Sequence, residues 1–343
     1  VFWVALIPLA ALVGVLALSI GAFPISPREI VSILGVAIGL VSPEAIDKQQ
    51  AAVLWSIRMP RVLLGAAVGA GLAVGGALMQ GIFRNPIADP GLIGVTSGAA
   101  FAAAFVIVLG AMIPGALIRD FGNYLLPIAA FSGGGIAVFV VKQVATRDGV
   151  TSITTMLLAG VAVAALASAG IGLLAYVATD TQLRSLTFWT LGSLGSAKWN
   201  VVAIVGIAVT VALAVALRLA TPLNVLAMGE CNAKHLGVDL KHLKTTVLLV
   251  ALAAVGVSIA FCGMIGFIGL VAPHCVRLMC GPDHRMVLPA SALLGSTLLV
   301  AADLIARTIV APAELPIGIL TALLGVPFFV MLLRRQYGDG GPN

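Results

Sequence analysis

VLLGAAVGAGLAVGGALMQGIF, residues 62–83, runs without one charged side chain, and only Gln80 in it is strongly polar. A surface helix or a half-buried strand would interleave polar residues with a period of 3.6 or 2. This run does neither. Its length suits a helix that crosses a bilayer, which takes about 20 apolar residues. A spanning β-strand would need apolar and polar residues in alternation and neighbours to close a barrel. The stretch therefore predicts a transmembrane α-helix, buried on all sides.

Working outward, the same texture repeats. The 343 residues are 61% hydrophobic and 9% charged, far from the roughly 25% charged residues of soluble domains. Apolar runs stand at 2–22, 62–83, 92–112, 124–141, 153–178, 201–220, 245–267, 286–309 and 317–333. A shorter, Gly- and Pro-broken run, GFIGLVAPHCVRLMC, sits between the seventh and eighth of these and is taken as a shortened crossing. The expected fold is an all-α membrane protein with about ten transmembrane helices in a polytopic bundle, one transmembrane domain over 1–343. The first run lacks a basic leader and is longer than a signal peptide's apolar stretch, so it reads as a retained helix. The opening Val1 suggests that the natural N-terminus has been trimmed.

Orientation follows from Lys and Arg in the connections. With a cytoplasmic N-terminus, eleven fall inside: Arg84, Lys142, Arg147, Arg218, Lys234, Lys241, Lys244, Arg277, Arg285, Arg334 and Arg335. Arg28, Lys48, Arg58, Arg61, Arg119, Arg184, Lys198 and Arg307 fall outside. The net charge of +6 is thus a matter of topology. The longest inner polar segment is 221–244, which contains GECNAKHLGVDLKHLK.

Two features bear on organisation. Offset by 185 residues, RVLLGAAVGAGLAVGGALMQGI and TVLLVALAAVGVSIAFCGMIGF share Val-Leu-Leu and the places of Gly71/Gly256, Met79/Met264 and Gly81/Gly266, a weak internal repeat that an inverted duplication would leave. TQLRSLTFWTLGSLG, residues 181–195, is too short to span and reads as an outer half-helix.

The chemistry is defined by what is missing. Asp and Glu lie in connections or at helix ends, Asp303 being the deepest. Ion-driven carriers use intramembrane carboxylates, so that class is disfavoured. The four cysteines lack zinc spacing, and Cys275 beside His274 reads as helix packing. No phosphate-binding glycine loop occurs. The chain is expected to be no enzyme and to bind no cofactor or metal; any energy for transport must come from a partner. In GECNAKHLGVDL, Ala233, Leu236 and Leu240 recur at spacings of three and four, a small amphipathic element broken at Gly237. Such an element is either a solvated surface loop or a helix able to dock in a partner's groove.

Several blocks, taken together and in order, resemble the permease subunits of bacterial ABC importers for iron-siderophores, haem and cobalamin. They are RMPRVLLGAAVGAGLAVGGALMQGIFRNPIADPGLIGVTSGA (58–99), LLAGVA (157–162), FWTLGSLG (188–195), GECNAKHLGV (229–238), GFIGLVAPHCVRLMCGPDHR (266–285) and AELPIGILTALLGVPFFVMLL (313–333). Cys231, Cys275, Cys280 and Val326 are local variations that leave the motifs intact.

The resemblance implies a ten-helix subunit of the bacterial inner membrane that pairs with a second copy of itself and lines a path between the two. It implies two cytoplasmic ATPase subunits, which bind ATP and Mg, and an extracytoplasmic substrate-binding protein. Gly229, Glu230, Ala233, Leu236 and Gly237 would form the coupling element seated on the ATPase. Asn85, Pro86 and Ile87, with Ser152, Ile153, Thr154 and Thr155, would form the cytoplasmic gate; read locally, these are a proline turn and a helix N-cap. Arg58, Arg61 and Arg307 would meet carboxylates of the binding protein. Arg58 and Arg61 flank Pro60 at the expected outer start of the second helix, where a cation opposes the helix dipole, while Arg307 could pair with Asp303 one turn away.

The half-helix and the C-terminal block look nearest to haem importers, so haem import by alternating access is the expected function. Ferric-siderophore or cobalamin import is the alternative within the family, and an ion-coupled secondary transporter, a channel or a scaffold the alternatives outside it. His274 is the only histidine within a helix-like apolar segment and is expected to pack rather than to ligate iron.

Overall fold

The computed structural model describes residues 2–42, 46–112, 115, 121–147 and 150–338; Arg119, counted above on the outer side, lies outside them. Among the described residues, seven helical runs are long and apolar enough to cross a membrane: Phe2–Ser19, Lys48–Phe83, Gly122–Ala145, Ile153–Val177, Trp199–Ala227, Leu240–Cys262 and His284–Thr308. Three shorter apolar helices, Val95–Leu109, Ile268–Cys280 and Ile317–Met331, accompany them. Each matches one of the expected apolar runs, the broken eighth included.

In chain order the helices are α1 (Phe2–Ser19), α2 (Pro27–Ala37), α3 (Lys48–Val53), α4 (Met59–Phe83), α5 (Val95–Leu109), α6 (Leu125–Ala145), α7 (Ile153–Val177) and α8 (Asp180–Leu191). Then come α9 (Trp199–Ala227), α10 (Glu230–His235), α11 (Leu240–Ala251), α12 (Val257–Cys262), α13 (Ile268–Cys280), α14 (His284–Thr308) and α15 (Ile317–Gly338). A two-stranded antiparallel hairpin, β1 (Thr146–Arg147) with β2 (Val150–Thr151), joins α6 to α7.

The opening stretch of sequence lies at the centre. From Gly71 to Phe83 every residue of α4 is buried, and α4 packs most extensively on α14, then on α9 and α13. Lipid is as apolar as the helix, so association rests on close packing, which small residues permit. A Cβ on Gly295 would stand 2.6 Å from that of Ala73, and one on Gly269 2.8 Å from the carbonyl oxygen of Leu72. The two copies of the repeat also meet: a Cβ on Gly71 would lie 3.0 Å from the carbonyl oxygen of Ala254 and 2.9 Å from Ser258 Oγ, two residues either side of the repeat partner Gly256.

Three departures from expectation have local causes. The second span begins at Lys48, not at Val62: Asp47 caps α3, accepting from the Gln49 amide at 2.7 Å, and a π turn at Leu54–Arg58 carries the helix into α4. Polar Lys48, Gln49 and Gln50 hide that start from a hydropathy reading. Helix α2 was not expected, although Ser26 and Glu29 form a reciprocal capping box, a signature legible as Ser-x-x-Glu. The third span, by contrast, starts late. Residues 85–94 turn back along α4, so that Pro90 comes beside Gly75, two turns above the helix end, and α5 begins only at Val95. The outer half-helix is present as α8, capped by Thr179 and Gln182. The amide of Ser193 donates to the carbonyl of Cys262 at 2.8 Å, locking the end of α8 to that of α12.

Candidate functional site

The polar segment that follows α9 folds into α10 between two glycines. Gly229 has φ +109° and Gly237 φ +81°, both in the region that other residues enter only with strain. At the C-terminal end the amide of Val238 donates to Ala233 O at 2.9 Å and that of Gly237 to Lys234 O at 3.0 Å, the paired bonds of a Schellman stop. This stop corrects the expected apolar stripe. Ala233 and Leu240 are buried within the chain itself, whereas Leu236, turned outward as the capping residue, is 63% exposed. The surface α10 offers outward is therefore Cys231, Asn232, Lys234, His235 and Leu236.

Glu230, the first residue of α10, faces inward. Its Oε1 accepts from Lys244 Nζ at 2.8 Å, and the same ammonium donates to Thr151 O at 2.8 Å. Lys244 is buried, and a cleft of about 270 Å³ opens beside it, lined in part by Val150, Lys234, Asp239 and Lys241. Lys244 was counted from sequence only as an inner charge; nothing in the local pattern announces partners 14 and 93 residues away.

The residues expected at the gate fall on two joined elements. Asn85 Oδ1 accepts from the Ile87 amide at 3.1 Å, an Asx turn that aims Pro86 and Ile87 into the returning segment. Ser152 caps α7, accepting from Thr155 N at 3.3 Å. Asn85, Ser152 and Thr154 are exposed, and Pro86, Ile87, Ile153 and Thr155 half-buried. The elements meet further in, where Gly160 of α7 lies so close to Leu92 that a Cβ would overlap its carbonyl. On the returning segment Asp89 Oδ1 accepts from Gly91 N at 2.7 Å, capping the turn Pro90–Ile93. It also lines a cavity of about 270 Å³ with Leu72 and Thr96. Asp89 thus sits deeper than its place in a connection suggested, as a cap.

The three arginines come together at one end of the bundle, each engaged by its own chain. Arg61 donates from Nε at 3.0 Å and Nη2 at 2.9 Å to Asp303, and from Nη1 at 2.7 Å and Nη2 at 3.0 Å to Glu314. Arg307 Nε stands 3.7 Å from Asp303 Oδ2, and its Nη2 donates to Ala17 O. Arg58 is buried and donates to Leu18 O, to Ser19 O at 2.8 Å, and to Phe23 O. The last carbonyls of α1, orphaned by the end of the helix, are thus satisfied by cations at its negative end. This corrects the expected dipole conflict: Arg58 lies within a continuous helical run, where it serves the C-terminus of α1. The three arginines and Glu314 line an open cavity of about 290 Å³. The Arg61 hydrogen bond holds the Glu314 carboxyl below its ordinary range.

Among the described residues no group of three or more His, Cys, Asp or Glu is placed to hold a metal ion. His274 is buried edge-on to Phe328, with ring centroids 6.2 Å apart, and neither of its nitrogens has a hydrogen-bond partner among the described residues.

Residues 9–335 match the model of the FecCD transport family. The chain is 43% identical over 284 residues to the hemin transport system permease protein HmuU of Yersinia pestis, covering 82% of this chain and 84% of that protein. It is 44% identical over 284 residues to the cobalamin import system permease protein BtuC of Halobacterium salinarum, covering 83% and 74%. Its fold superposes with a TM-score of 0.83, at 33% identity and over 97% of this chain and 98% of the other, on a metal-chelate type ABC transporter in an inward-facing conformation.

Proposed function

The chain belongs to the FecCD transport family and is the membrane permease subunit of an ABC importer for metal chelates; within that role we propose that its cargo is haem, moved by alternating access between two copies of the chain. ATP hydrolysis belongs to separate subunits. The haem assignment is carried by one observation: the similarity to the hemin permease spans most of both chains, 82% of this one and 84% of the other. A path rich in Ala, Gly, Leu and Phe would pass a flat apolar macrocycle without retaining it, and importers need release as much as binding. Cobalamin is the second reading, favoured by the comparable identity to the halobacterial permease.

In this scheme α10 seats a cytoplasmic ATPase carrying ATP and Mg, with Leu236 at the centre of the contact and Gly229, Glu230, Ala233 and Gly237 shaping the helix beneath it. Asn85, Pro86, Ile87 and Ser152 to Thr155 close the inner end of the path. The binding protein docks over the outer cavity, where three arginines against Asp303 and Glu314 leave one positive charge in excess. An ion-coupled carrier is a poorer reading, since Asp303 is held by Arg61 and Asp89 is spent on a cap. The test is uptake into proteoliposomes that contain the permease, its ATPase and its binding protein, loaded in parallel with haem, a ferric siderophore or cobalamin. ATP-dependent accumulation of haem over cobalamin is expected. Transport of a siderophore or cobalamin but not haem would reassign the cargo, and uptake without ATP would overturn the ATP-driven scheme.

A further inference from the structure

We propose that Lys244 is the positioning residue that transmits movement of α10 to the cytoplasmic gate, by joining Glu230 of the coupling helix to the hairpin from which α7 starts. The inference rests on the reading of α10 as the seat of the ATPase.

A buried ammonium must be paired and hydrogen-bonded to be tolerated at all. Lys244, anchored on α11 and buried, satisfies this need with acceptors from two other elements, Glu230 Oε1 and Thr151 O, each at 2.8 Å. A lysine present only for packing would need no such division. The cleft beside it separates the hairpin from the coupling segment, and the lysine side chain crosses that gap.

What lies beyond Thr151 is stiff. Thr151 pairs with Thr146 across the hairpin, their hydroxyls 3.0 Å apart, and the amide of Ser152 donates to Ala145 O at 2.9 Å. Ser152 then caps α7. A shift of Glu230 therefore reaches the first turn of α7 through one side chain and one carbonyl. From α7 it passes by the Gly160 contact with Leu92 to the segment that begins at Asn85. Both halves of the gate hang from one ion pair. Its strength comes from hydrogen bonds made by a charged donor in a partly desolvated place, about twice those between neutral groups.

The experiment compares Lys244→Met, Lys244→Arg and Glu230→Gln in the full complex with ATPase and binding protein in proteoliposomes. Haem and cobalamin are each supplied, and the readout is molecules accumulated per ATP hydrolysed. Complexes are first checked for assembly by size exclusion. Losing a charged hydrogen bond lowers a coupling equilibrium by about tenfold, so Lys244→Met is expected to reduce the transport ratio about tenfold while the ATPase remains bound. Lys244→Arg, long enough to reach both acceptors, should restore most of it. Glu230→Gln keeps volume and fold and should reduce the ratio too; it decides the matter if the methionine variant fails to assemble. An unchanged ratio in an assembled Lys244→Met or Glu230→Gln complex overturns the inference. Full retention of the ATPase by a Leu236→Glu complex would instead overturn the reading of α10 on which it rests.

Discussion

Arg61 grips Asp303 with two nitrogens at once, Nε at 3.0 Å and Nη2 at 2.9 Å, joining α4 to α14 across 242 residues of sequence. Asp303 is almost wholly buried and stands between Arg61 and Arg307. Removing Asp303 leaves Arg61 with Glu314 but takes from the largely buried Arg307 side chain its carboxylate, and an uncompensated buried charge costs about 3–5 kcal/mol. Asp303→Asn should therefore lower the thermal midpoint of the detergent-solubilised protein markedly. The double variant Arg61→Gln with Asp303→Asn should lose less than the two single variants summed. Strict additivity would show that the two side chains do not act as a pair.

Glu314 supplies a second, exposed arm of the same cluster. Because the Arg61 hydrogen bond lowers its pKa in the folded state, its contribution is present at neutral pH and is lost as pH falls through that lowered value. Glu314→Gln should remove this acid-dependent part of the stability and add one net positive charge to the outer cavity. If the binding protein presents carboxylates there, the variant binds it faster, with a steeper dependence on salt. Weaker association of Glu314→Gln at low salt would contradict docking by positive charge. This is a cleaner probe than reversing Arg58 or Arg61, since both hold the permease's own fold.

On α10 the exposed Leu236, rather than the buried Ala233, tests the proposed docking of the ATPase. Leu236→Glu should leave the permease inserted and folded yet abolish its co-purification with the ATPase, because an apolar anchor becomes a charge at the centre of the contact. Gly237→Ala should act differently. It forces a Cβ into left-handed backbone at a cost of about 1–2 kcal/mol, loosening the end of α10 and weakening coupling without abolishing assembly. Full ATPase retention by Leu236→Glu would place the contact elsewhere.

Much of this architecture is legible because lipid imposes a simple rule: spanning segments must be apolar throughout, as residues 62–83 are. Motif order then points to the segments proposed as coupling helix and gate. What sequence hides is whatever depends on partners far along the chain. Lys48 to Arg58 looks like a polar loop, yet it is helix, because Asp47 caps it and Arg58 finds the carbonyls of α1. Periodicity put Ala233 and Leu236 on one face, but a six-residue helix that ends in a Schellman stop has no room for a stripe. Lys244 carries no local signature at all; its role rests on Thr151, 93 residues earlier.

His274 offers the last test, because it separates packing from ligation. Its two nitrogens are buried without partners among the described residues, and an unsatisfied buried polar group costs about 1–3 kcal/mol. An apolar residue of similar size should relieve that cost, so His274→Leu is expected to raise the thermal midpoint, whereas His274→Ala, which leaves a gap beside Phe328, should lower it. If the imidazole only packs, ATP-dependent haem uptake by either variant should change no more than about twofold, since a modest cavity in a helix interface shifts stability more than passage. A ligand to haem iron would behave otherwise. Haem uptake would then collapse in His274→Leu despite its higher stability, while uptake of a ferric siderophore, whose iron is already enclosed by its chelator, would be spared. That pattern would make His274 part of the path and overturn the packing assignment.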